Sequence, residues 1–460
     1  MQKRLARYIG ALALYPAPIL FGWYLALSAA GTLLLLLPAC RIPGTAPLSL
    51  TDAMFTATSA ASVTGLMVVS TETQLSTAGQ GVLLVLIQLG GLGVMTIGTL
   101  LFVSITGRQP VRFHMFTKET LNAPLSADVR RLILLVIGVT LLFEFVGAVA
   151  LLLARLGDGP FLEVLWWAVF HAVSGFCNSG ISLQDASLAP WSGDPAVILT
   201  MSALIVAGGL GFPVLLDMFH LRRRSRDRRS LRFHTKLVLA ASTILLAVGM
   251  LAIWWLERDG ALGGLPAGQA AMNALFQSVT ARSAGFTTMP VEHFAYPAIF
   301  LLILLMVIGG SSGSTAGGVK VSTVSILALA GVAHARRRWQ TAAFGRRVPD
   351  RMLRAAATVM AVYLTILVTG FMALLILEAR GLAQAEAEGY FLDLAFEAVS
   401  ALGTVGLSTG ATAELGEASR LVIITMMLLG RTGPLAIASV LLAPPKGPKI
   451  RYPESEVIIG

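Results

Sequence analysis

Four short segments of the chain repeat one pattern, in which a phenylalanine is followed nine or ten positions later by a glycine. Small or hydroxyl-bearing residues precede each glycine. Glycine adopts positive φ angles without a Cβ penalty, so a loop that contains one can turn its backbone carbonyl oxygens toward one side. Such oxygens can replace the water shell of a cation such as K⁺. The segments are 55–65 (FTATSAASVTG), 170–180 (FHAVSGFCNSG), 276–285 (FQSVTARSAG) and 396–406 (FEAVSALGTVG).

The candidate ion ligands are the backbone carbonyls of the last three residues of each segment, with K⁺ as the predicted ion. One such segment alone is typical of an ordinary turn between helices, whereas four in the same register favour a ring around one axis. Those residues that carry hydroxyl or amide side chains can also tether the loops from behind. The candidate ligands are Val63, Thr64, Gly65, Asn178, Ser179, Gly180, Ser283, Ala284, Gly285, Thr404, Val405 and Gly406.

Composition places these segments in a membrane protein. The 460 residues are 56% hydrophobic and 13% charged, with a mean hydropathy of +0.78, whereas soluble domains carry about 25% charged residues. Apolar runs of about 20 residues, long enough to cross a bilayer as helices, recur along the chain. Spanning segments are expected to be helical because lipid offers no partner to free backbone N–H and C=O groups. The predicted fold is an all-α polytopic membrane protein.

Eight spanning helices are predicted in four pairs, and a helical segment too short to span lies between the members of each pair. The repeating unit is a first spanning helix (M1), a pore helix, a filter loop and a second spanning helix (M2). Four such units would surround one pore with pseudo-fourfold symmetry. We expect Thr51 and Asp52 to cap the first pore helix. The predicted M1, pore-helix and M2 segments are 16–38, 51–61 and 77–105; 129–156, 163–174 and 194–219; 234–256, 268–280 and 295–330; and 352–378, 389–400 and 417–443.

The repeating units divide the chain into five parts. All four units run in the same topology, so their filter loops are expected on one side of the membrane. The parts are repeat 1 at 1–119, repeat 2 at 120–225, repeat 3 at 226–340, repeat 4 at 341–445 and a cytoplasmic C-terminal tail at 446–460.

The net charge of +10 follows the predicted topology. Lys and Arg residues concentrate at both termini and in the linkers between repeats, around 108–131, 222–236 and 336–354. Cytoplasmic loops of membrane proteins carry such an excess, so both termini and these linkers are predicted to be cytoplasmic. The basic linkers are attributed to topology and anionic lipid, and no nucleic-acid partner is predicted. Cys40 and Cys177 have no spacing typical of a disulfide or zinc site.

Two features interrupt the predicted M2 helices. In repeat 3 the segment 309–320 (GGSSGSTAGGVK) is too rich in glycine for a stable helix interior. Irregular backbone at membrane depth is tolerated where it faces protein or a water-filled cavity, so a loop below the filter that lines the conduction path is predicted. In repeat 4, Arg431 stands in an apolar run, where a guanidinium needs a partner. Its five N–H donors can bind unpaired carbonyls of such a loop.

The glycine segments and their surroundings resemble those of the Trk/Ktr/HKT superfamily of potassium transporters, and most closely the Ktr-type membrane subunit. One predicted span, rather than the three usual in Trk-type subunits, precedes the first filter loop. The tail 451–460 (RYPESEVIIG) is similar to the terminus of the Ktr-type subunit. The other matching motifs are SVTGL (62–66), IQLGGLGVMT (87–96), HAVSGFCNSG (171–180), AGGLGFPVLLD (207–217), SVTARSAGFTT (278–288), IGGSSGSTAGGVK (308–320), AVSALGTVGLSTG (398–410) and LLGRTGPL (428–435).

The resemblance implies potassium uptake driven by membrane potential and ion gradient in the inner membrane of a bacterium, with Na⁺ considered as an activator. It also implies a homodimer with one pore per subunit and a cytoplasmic ring of RCK/KTN-type regulatory subunits that bind ATP or ADP. The chain contains no P-loop and no dinucleotide fingerprint after a strand. The nucleotide site is therefore expected in the partner, which would dock on the basic linkers and the tail.

The resemblance further implies that the loop in repeat 3 is a gate beneath the filter and that Arg431 holds it. A guanidinium there would also raise the barrier for a cation while the gate is closed. Lys320 either helps to hold the gate closed or caps the loop against Asp217. The predicted gate residues are Gly309, Gly310, Ser311, Ser312, Gly313, Ser314, Thr315, Gly317, Gly318, Lys320 and Arg431.

Charged residues close to the filter segments are assigned to its support. Arg282 lies within the third filter segment, where a side chain pointing into the pore would block a cation. It is therefore predicted to point away and to pair with an acid of a pore helix, such as Glu397 or Asp52. Glu144 in the second M1 is either a functional intramembrane acid or a structural hydrogen-bonding group. Cys177 stands where members of the family more often carry a polar residue.

Three alternatives to potassium uptake follow from the same residues. A sodium-preferring or Na⁺/K⁺-conducting member of the superfamily is the first, but a serine replaces the first filter glycine in some HKT-type members of that kind, and Gly65 argues against it. An intramembrane enzyme would need a constellation of His, Asp, Glu or Ser side chains at common depth, and the six histidines form none. An alternating-access carrier would more often show inverted repeats. The prediction is a transport protein and not an enzyme.

Overall fold

The chain folds almost entirely into helices. The predicted cytoplasmic tail, the N-terminal segment before residue 16 and most of the basic residues predicted between repeats 1 and 2 and between repeats 2 and 3 lie outside the described residues. The computed structural model describes residues 16–106, 129–221, 231–379 and 389–441.

Within the first half of the described chain, a pore helix twice lies between an M1 helix and an M2 segment. We call the four helices in this position the short helices. The short helices α2 and α5 each end at a residue in the left-handed conformation, which stops the helix and begins the following loop. The helices are α1 (Pro16–Leu35), α2 (Leu50–Ser62), α3 (Thr77–Thr106), α4 (Val129–Ala154), α5 (Phe161–Cys177), α6 (Pro195–Leu210) and α7 (Phe212–Leu221).

The second half repeats this order, with short helices α9 and α13 and a third-quarter M2 segment divided into α10 and α11. Three-residue 3₁₀ turns occur at Pro38–Cys40, Ala189–Trp191 and Val291–His293, and a hairpin of two antiparallel strands pairs Ala342 with Arg347. The remaining elements are α8 (Phe233–Glu257), α9 (Ala267–Thr280), α10 (Tyr296–Val307), α11 (Val321–Ala335), β1 (Ala342–Ala343), β2 (Arg346–Arg347), α12 (Asp350–Glu378), α13 (Tyr390–Gly403), α14 (Ala411–Glu414) and α15 (Glu417–Leu441).

Several of these helices are long and apolar enough to cross a membrane. Leu134–Ala154, Phe233–Glu257 and Asp350–Glu378 meet both criteria, and Pro195–Leu210 with Phe212–Phe219 becomes a fourth if this bent pair is one span. Shorter apolar helices are found at Leu20–Leu35, Thr77–Gly93 and Phe161–Cys177, and at α10 and α11. The chain is therefore a largely helical membrane protein, and the full count of eight spans stays a prediction.

Burial is arranged around the four short helices. Large apolar side chains of the long helices, such as Leu134, Phe145 and Val368, are exposed, which suits a surface covered by lipid. The short helices are instead surrounded by the long ones, and the phenylalanine that opens each repeated segment is completely buried. The short helices begin and end within three residues of the predicted positions. The four buried phenylalanines are Phe55, Phe170, Phe276 and Phe396.

The start of the first short helix differs from the prediction. Ser49, rather than Thr51 or Asp52, is the N-cap residue, and its hydroxyl accepts a hydrogen bond from the Asp52 backbone N–H at 3.0 Å. The side chain of Asp52 is thereby left free to pair elsewhere. A serine three positions before an acidic residue is a common helix start, and the N-cap lies two residues before Thr51.

Breaks in the M2 segments are more widespread than the sequence indicated. In addition to the loop between α10 and α11, α3 is kinked at Gly93, where φ is 65° and ψ is 173°. The helices α6 and α7 meet at Gly211, with φ of 83°, and bend by 100°. Only α15 runs without a break through the corresponding place in the described chain. The motifs GGLG in repeats 1 and 2 therefore bend the backbone, as the longer glycine segment does in repeat 3.

Candidate ion-conducting site

The four glycine loops share one backbone conformation. Each glycine has a positive φ, as predicted, and the residue two positions before it also has a positive φ. Such angles are unusual for residues with a Cβ and unfavourable for β-branched ones, so the surrounding structure must hold them. The angles are 56° at Val63 and 101° at Gly65, 60° at Asn178 and 74° at Gly180, 69° at Ser283 and 80° at Gly285, and 46° at Thr404 and 91° at Gly406.

The four glycines form a closed ring. A Cβ atom added to any one of them would lie closer than 3.0 Å to the carbonyl oxygen of the residue that precedes the glycine of the next loop. Real side chains do not make such contacts, so only glycine permits this approach of backbones. The order is cyclic: Gly65 approaches Ser179, Gly180 approaches Ala284, Gly285 approaches Val405, and Gly406 approaches Thr64.

A hydroxyl side chain of each short helix ties down the loop that follows. In repeats 1 and 4 a serine hydroxyl accepts a hydrogen bond from the backbone N–H of the glycine itself. In repeats 2 and 3 a hydroxyl donates a hydrogen bond to the carbonyl of the residue that follows the glycine. The bonds are Gly65 N to Ser59 Oγ at 3.0 Å, Gly406 N to Ser400 Oγ at 3.1 Å, Ser174 Oγ to Ile181 O at 2.7 Å and Thr280 Oγ1 to Phe286 O at 2.6 Å.

These four tethering residues were missed in the sequence. The signal was present, because each stands four positions after the phenylalanine of its segment, one helical turn away on the same face. The side chains predicted to tether the loops contribute less. The Thr64 hydroxyl bonds the Ser62 hydroxyl at 2.6 Å, and Ser283 donates to the carbonyl of Gly403, the last residue of α13, at 3.2 Å. The hydroxyls of Ser179 and Thr404 have no partner among the described residues.

The ends of the short helices lie against glycines of the M2 segments. A Cβ at Gly90, Gly208 or Gly430 would collide with the carbonyl oxygen of Ala61, Phe176 or Leu402, respectively. Each of these carbonyls belongs to the last turn of a short helix, four residues before the filter glycine. The M2 backbones therefore pack directly beneath three of the short helices. The carbonyl ends of helices carry partial negative charge, which favours a cation next to them.

The glycine-rich segment of repeat 3 forms an ordered loop between α10 and α11. Gly309 N donates to Val319 O at 2.9 Å, which brings the two ends of the loop together. Ser311 N donates to Gly209 O at 2.9 Å, and Phe212 N donates to Gly313 O at 3.1 Å, so the loop is bonded to the bend between α6 and α7. These bonds satisfy backbone groups that would otherwise be unpaired within the membrane.

The same loop also contacts the C-terminal ends of two short helices. The hydroxyl of Thr315 donates to the carbonyl of Phe176 at 3.1 Å, in the last turn of α5. A Cβ at Gly317 would collide with the side chain of Thr404, in the fourth filter segment. The loop is therefore close to two of the four glycine segments, and Ser311 and Thr315 are buried.

Arg431 joins three parts of the molecule. Its Nη1 donates to the carbonyl of Thr315 in the glycine-rich loop, its Nη2 to Gly90 O at 3.2 Å, and its Nε to the Tyr24 hydroxyl at 3.1 Å. The hydroxyl of Tyr24 in turn donates to Gly90 O at 3.2 Å. The guanidinium thus binds backbone carbonyls next to two M2 breaks.

Lys320 does not pair with Asp217, which was one of its two predicted roles. Its ammonium group donates to the carbonyl of Ala316 at 2.6 Å, within the loop. Asp217 accepts a hydrogen bond from the backbone N–H of Arg232 at 2.9 Å, and its carboxylate forms an ion pair with the Arg232 Nε at 3.6 Å. Because a closer cation occupies that carboxylate, Lys320 is left to bind the loop itself.

The predicted ion pair of Arg282 with Glu397 or Asp52 is wrong. Arg282 donates to the hydroxyl of Ser242 in α8 at 3.2 Å, beside a cavity of about 20 Å³. Asp52 pairs with Arg420, and Glu397 accepts bonds within its own repeat. The side chain of Arg282 does point toward α8 and away from the glycine ring, but its expected acids are occupied by nearer partners.

Glu144 lies in a hydrogen-bonded group behind the second filter segment. Its carboxylate accepts a bond from the Gln88 amide at 3.2 Å and lies 3.8 Å from the sulfur of Cys177. The sulfur is also 3.9 Å from the Gln88 oxygen. This arrangement favours the structural role for Glu144 and gives Cys177 polar neighbours. Among the residues that the structure describes, no group of three or more His, Cys, Asp or Glu side chains could hold a metal.

Comparisons with known proteins agree on one family. The family model described as TrkH, cation transport protein, matches residues 25–446. The Ktr system potassium uptake protein B of Vibrio alginolyticus is 37% identical over 429 residues, which cover 93% of this chain and 91% of that protein. The protein of the same name from Bacillus subtilis (strain 168) is 36% identical over 447 residues, covering 97% and 96%.

Two further comparisons extend this result. The potassium/sodium uptake protein NtpJ of Enterococcus hirae is 34% identical over 414 residues, covering 89% of each chain. The crystal structure of the potassium transporter TrkH from Vibrio parahaemolyticus superposes with a TM-score of 0.70 and 22% identity, covering 92% of this chain and 84% of that one. The last comparison concerns the fold alone. From the matched length and these identities, the chain belongs to the TrkH family of cation transport proteins and is a membrane transport protein, not an enzyme.

Proposed function

We propose that this chain takes up K⁺ across the bacterial inner membrane through a filter made of the four glycine loops. The observation that carries the proposal is the cyclic approach of each filter glycine to the carbonyl of the next loop. A closed ring of backbone is the arrangement that can surround a dehydrated cation with oxygens. The relatives named as potassium uptake proteins, which match along almost their full length, support K⁺ as the ion.

The proposed ligands are the carbonyl oxygens of the three residues that end each segment, such as Val63, Thr64 and Gly65 in the first. Residues in the left-handed region alternate with residues outside it, which lets successive carbonyls face the same axis. The carbonyl ends of α2, α5 and α13 add partial negative charge. One elementary charge moving through 100 mV releases about 2.3 kcal/mol, which is enough to concentrate K⁺ without ATP.

The architecture we propose is four units of M1, pore helix, filter loop and M2, with eight spans around one pore in pseudo-fourfold arrangement. The shared loop conformation and the ring order support it, as do the equivalent contacts of Gly90, Gly208 and Gly430 with the ends of three short helices. The basic residues between units support cytoplasmic termini and outward-facing filter loops.

The glycine-rich loop 309–320 is the proposed gate. It lies against the last turn of α5 and against Thr404 of the fourth loop, and Arg431 and Lys320 both donate to its carbonyls. A loop that is fixed by hydrogen bonds and lies beside two positively charged side chains, Arg431 and Lys320, would act as a barrier to K⁺. Opening would require the bond of Arg431 to the Thr315 carbonyl to break, because it fixes the loop to the fourth M2 segment and, through the second bond of Arg431 to Gly90 O, to the first.

Control is proposed to come from other chains. We infer a homodimer and a cytoplasmic ring of regulatory subunits of the RCK/KTN type, which would bind ATP or ADP, with Na⁺ as a candidate activator. The chain itself carries no P-loop or dinucleotide fingerprint. The basic segments between the repeats provide a cytoplasmic surface for such a partner.

The test is growth of a K⁺-uptake-deficient bacterium at low K⁺, with the regulatory partner co-expressed. The wild type is expected to restore growth, and Gly65→Ser and Gly285→Ser are expected to restore it poorly or to admit Na⁺. The second outcome to examine is sodium uptake by the wild type, because one relative is named a potassium/sodium uptake protein. Failure of the wild type to take up K⁺ would overturn the proposal, and equal growth with all three proteins would remove the filter assignment.

A further inference from the structure

The backbone just beyond three of the four filter glycines is held by a second set of polar side chains, which is distinct from the serine and threonine tethers and from the gate. In each short helix, the residue directly after the buried phenylalanine is polar and completely buried. In three repeats this side chain reaches the residue two positions after the filter glycine. The four residues after the phenylalanines are Thr56, His171, Gln277 and Glu397.

In repeat 2 the link is made by an imidazole. Nδ1 of His171 lies 2.9 Å from the carbonyl of Trp167, and its Nε2 lies 3.0 Å from the hydroxyl of Ser182. Because a carbonyl only accepts, Nδ1 carries the proton, and Nε2 of the neutral ring accepts from Ser182. The ring also stacks on Trp167 with centroids 4.1 Å apart, so its position is fixed on two sides.

In repeat 3 the link is made by an amide. The Gln277 side chain donates to the hydroxyl of Thr287 at 3.1 Å, and that hydroxyl donates onward to the carbonyl of Met289. The backbone N–H of Met289 donates back to the Thr287 hydroxyl at 3.2 Å. In repeat 3 the hydroxyl of Thr287 therefore bonds both the short helix, through Gln277, and the backbone of Met289.

In repeat 4 the link is made by a carboxylate. Oε1 of Glu397 accepts from the hydroxyl of Ser408 at 2.6 Å and from the backbone N–H of Thr409 at 3.1 Å. Its other oxygen accepts from the hydroxyl of Thr412. Three donors surround a carboxylate that is completely buried, which compensates for its removal from water.

Repeat 1 lacks the link. At the equivalent positions stand Thr56, whose hydroxyl has no partner among the described residues, and Met67. The outer segment of repeat 1 is tied instead to repeat 2, because Ser70 donates to the Asp185 carboxylate at 2.6 Å and Asp185 N donates to Glu72 at 3.1 Å. In the first quarter, the short helix therefore holds the glycine through Ser59, whereas the segment beyond it is bonded to repeat 2.

We propose that His171, Gln277 and Glu397 are positioning residues that set the ion selectivity of the filter by fixing the backbone just outside it. This inference rests on the proposed function. Each bonds a hydroxyl two residues beyond a filter glycine, so a shift of that hydroxyl moves the glycine carbonyl. Binding sites need their ligands held to within about 0.5 Å, and three chemically different side chains serve that purpose at one equivalent position.

The test removes the hydroxyls on the loop side, which leaves the buried helix residues intact. Ser182→Ala, Thr287→Val and Ser408→Ala are made in the full chain and expressed with its partner in the K⁺-uptake-deficient bacterium. Uptake of K⁺ with and without competing Na⁺ is measured per copy of protein in the membrane. Each variant is expected to lose about fivefold in discrimination of K⁺ over Na⁺, the effect of one hydrogen bond, whereas maximal uptake changes less.

Matched controls separate positioning from general damage. Thr287→Ser and Ser408→Thr keep the hydroxyl and should keep the wild-type discrimination, and Thr56→Val, where no link exists, should also leave it unchanged. The proposal is overturned if discrimination per copy equals the wild-type value in the hydroxyl-free variants, or if Thr56→Val lowers it equally. A fall in protein level alone, at constant discrimination, also overturns it. Absence of K⁺ uptake by the wild type would instead reject the proposed function.

Discussion

At the scale of single residues, the filter glycines are distinguished by how closely another backbone approaches them. Gly406 has a φ of 91°, and a Cβ there would collide with the carbonyl of Thr64. Gly44 has a nearly equal φ of 90°, but no atom lies within 4 Å of its hypothetical Cβ. The pair therefore separates the cost of a left-handed backbone from the cost of a collision inside the ring.

We expect Gly406→Ala to lower K⁺ uptake by about tenfold or more, because displacing a carbonyl by an ångström removes an ion ligand. Gly44→Ala should carry only the backbone strain of about 1 kcal/mol and should transport K⁺ normally. Uptake rates per copy in the K⁺-uptake-deficient bacterium measure both. If the two variants transport equally well, the close approach at Gly406 has no role in transport.

A second prediction at this scale concerns Arg431, which binds the carbonyls of Thr315 and Gly90. Arg431→Ala removes these bonds and a positive charge beside the proposed path. It should raise K⁺ flux that no longer depends on the regulatory partner. Flux measured with and without the partner tests this, with Arg258→Ala as the control at an exposed arginine. Unchanged flux with intact regulation would reject the gating role.

The sequence analysis missed two kinds of residue: those with a regular spacing that was overlooked, and those whose partner is far away in the sequence. Ser59 and its counterparts could have been found, because they keep a constant spacing from the phenylalanines. The partner of Arg282 could not, because the sequence favours an acid for a guanidinium, whereas packing places the Ser242 hydroxyl beside it and gives the acids other partners. Asp52 is taken by Arg420, whose position 368 residues away depends on ring closure.

At the scale of elements, the contact between short helices and M2 segments depends on small residues. Gly208 and Gly430 lie so close to the carbonyls of Phe176 and Leu402 that a methyl group would force them apart. Overpacking of this kind costs about 1–3 kcal/mol. Gly331 in α11 is also helical, but no atom lies within 4 Å of its hypothetical Cβ.

Gly430→Ala should therefore lower the melting temperature of the purified protein by several degrees, whereas Gly331→Ala should leave it equal or raise it, because alanine favours the helix by about 1 kcal/mol. Thermal unfolding in detergent, followed by intrinsic fluorescence, measures the difference. Similar melting temperatures for the two variants would show that α15 does not pack on α13 as the structure has it.

The short helices could be predicted closely, because an apolar stretch of limited length ending in glycine is a local signal. The bends at Gly93 and Gly211 were not predicted, since a GGLG motif inside an apolar run is compatible with a continuous helix. Packing beneath a short helix does not by itself bend an M2 segment, because Gly430 makes the same contact and α15 is unbroken. At Gly211 the bend is held by the hydrogen bonds of Phe212 N to Gly313 O and of Ser311 N to Gly209 O, which join it to the loop of repeat 3.

At the scale of the whole molecule, the last unit must meet the first. Arg420 of α15 pairs with Asp52 of α2 and also donates to the carbonyl of Ala413 at 3.0 Å. Both charged side chains are mostly buried, at 18% and 24% exposure. This ion pair is one of the polar contacts across the junction of repeats 4 and 1, with the bonds of Arg431 below it.

Asp52→Asn should lower stability by about 1 kcal/mol or somewhat more, since a partly buried guanidinium loses its carboxylate. The double exchange Asp52→Arg with Arg420→Asp should recover part of that loss. Asp259→Asn, in an exposed pair with Arg258, serves as the control and should have no effect. Melting temperatures of the purified variants decide the matter, and an unaffected Asp52→Asn protein would contradict a role in closing the ring.

The repeat of four segments could be read from the sequence, because each unit uses the same aromatic and glycine spacing. The order in which the loops touch could not, since it follows from how the long helices pack side by side. The ring closes where repeat 4 contacts repeat 1, because Gly406 of the fourth loop approaches the carbonyl of Thr64 in the first. The units differ most in the loop of repeat 3 and in Arg431 of repeat 4. These two features bond each other on the side of the ring where the short helices end.

We propose that the four glycine loops bind the transported ion with backbone carbonyls. The most direct measurement is the diffraction of crystals grown in Rb⁺, which substitutes for K⁺ and scatters anomalously. We expect anomalous peaks on the axis enclosed by Gly65, Gly180, Gly285 and Gly406, within coordination distance of their carbonyls and those of the residues before them. Ordered Rb⁺ elsewhere in the chain, with the ring empty, would contradict it.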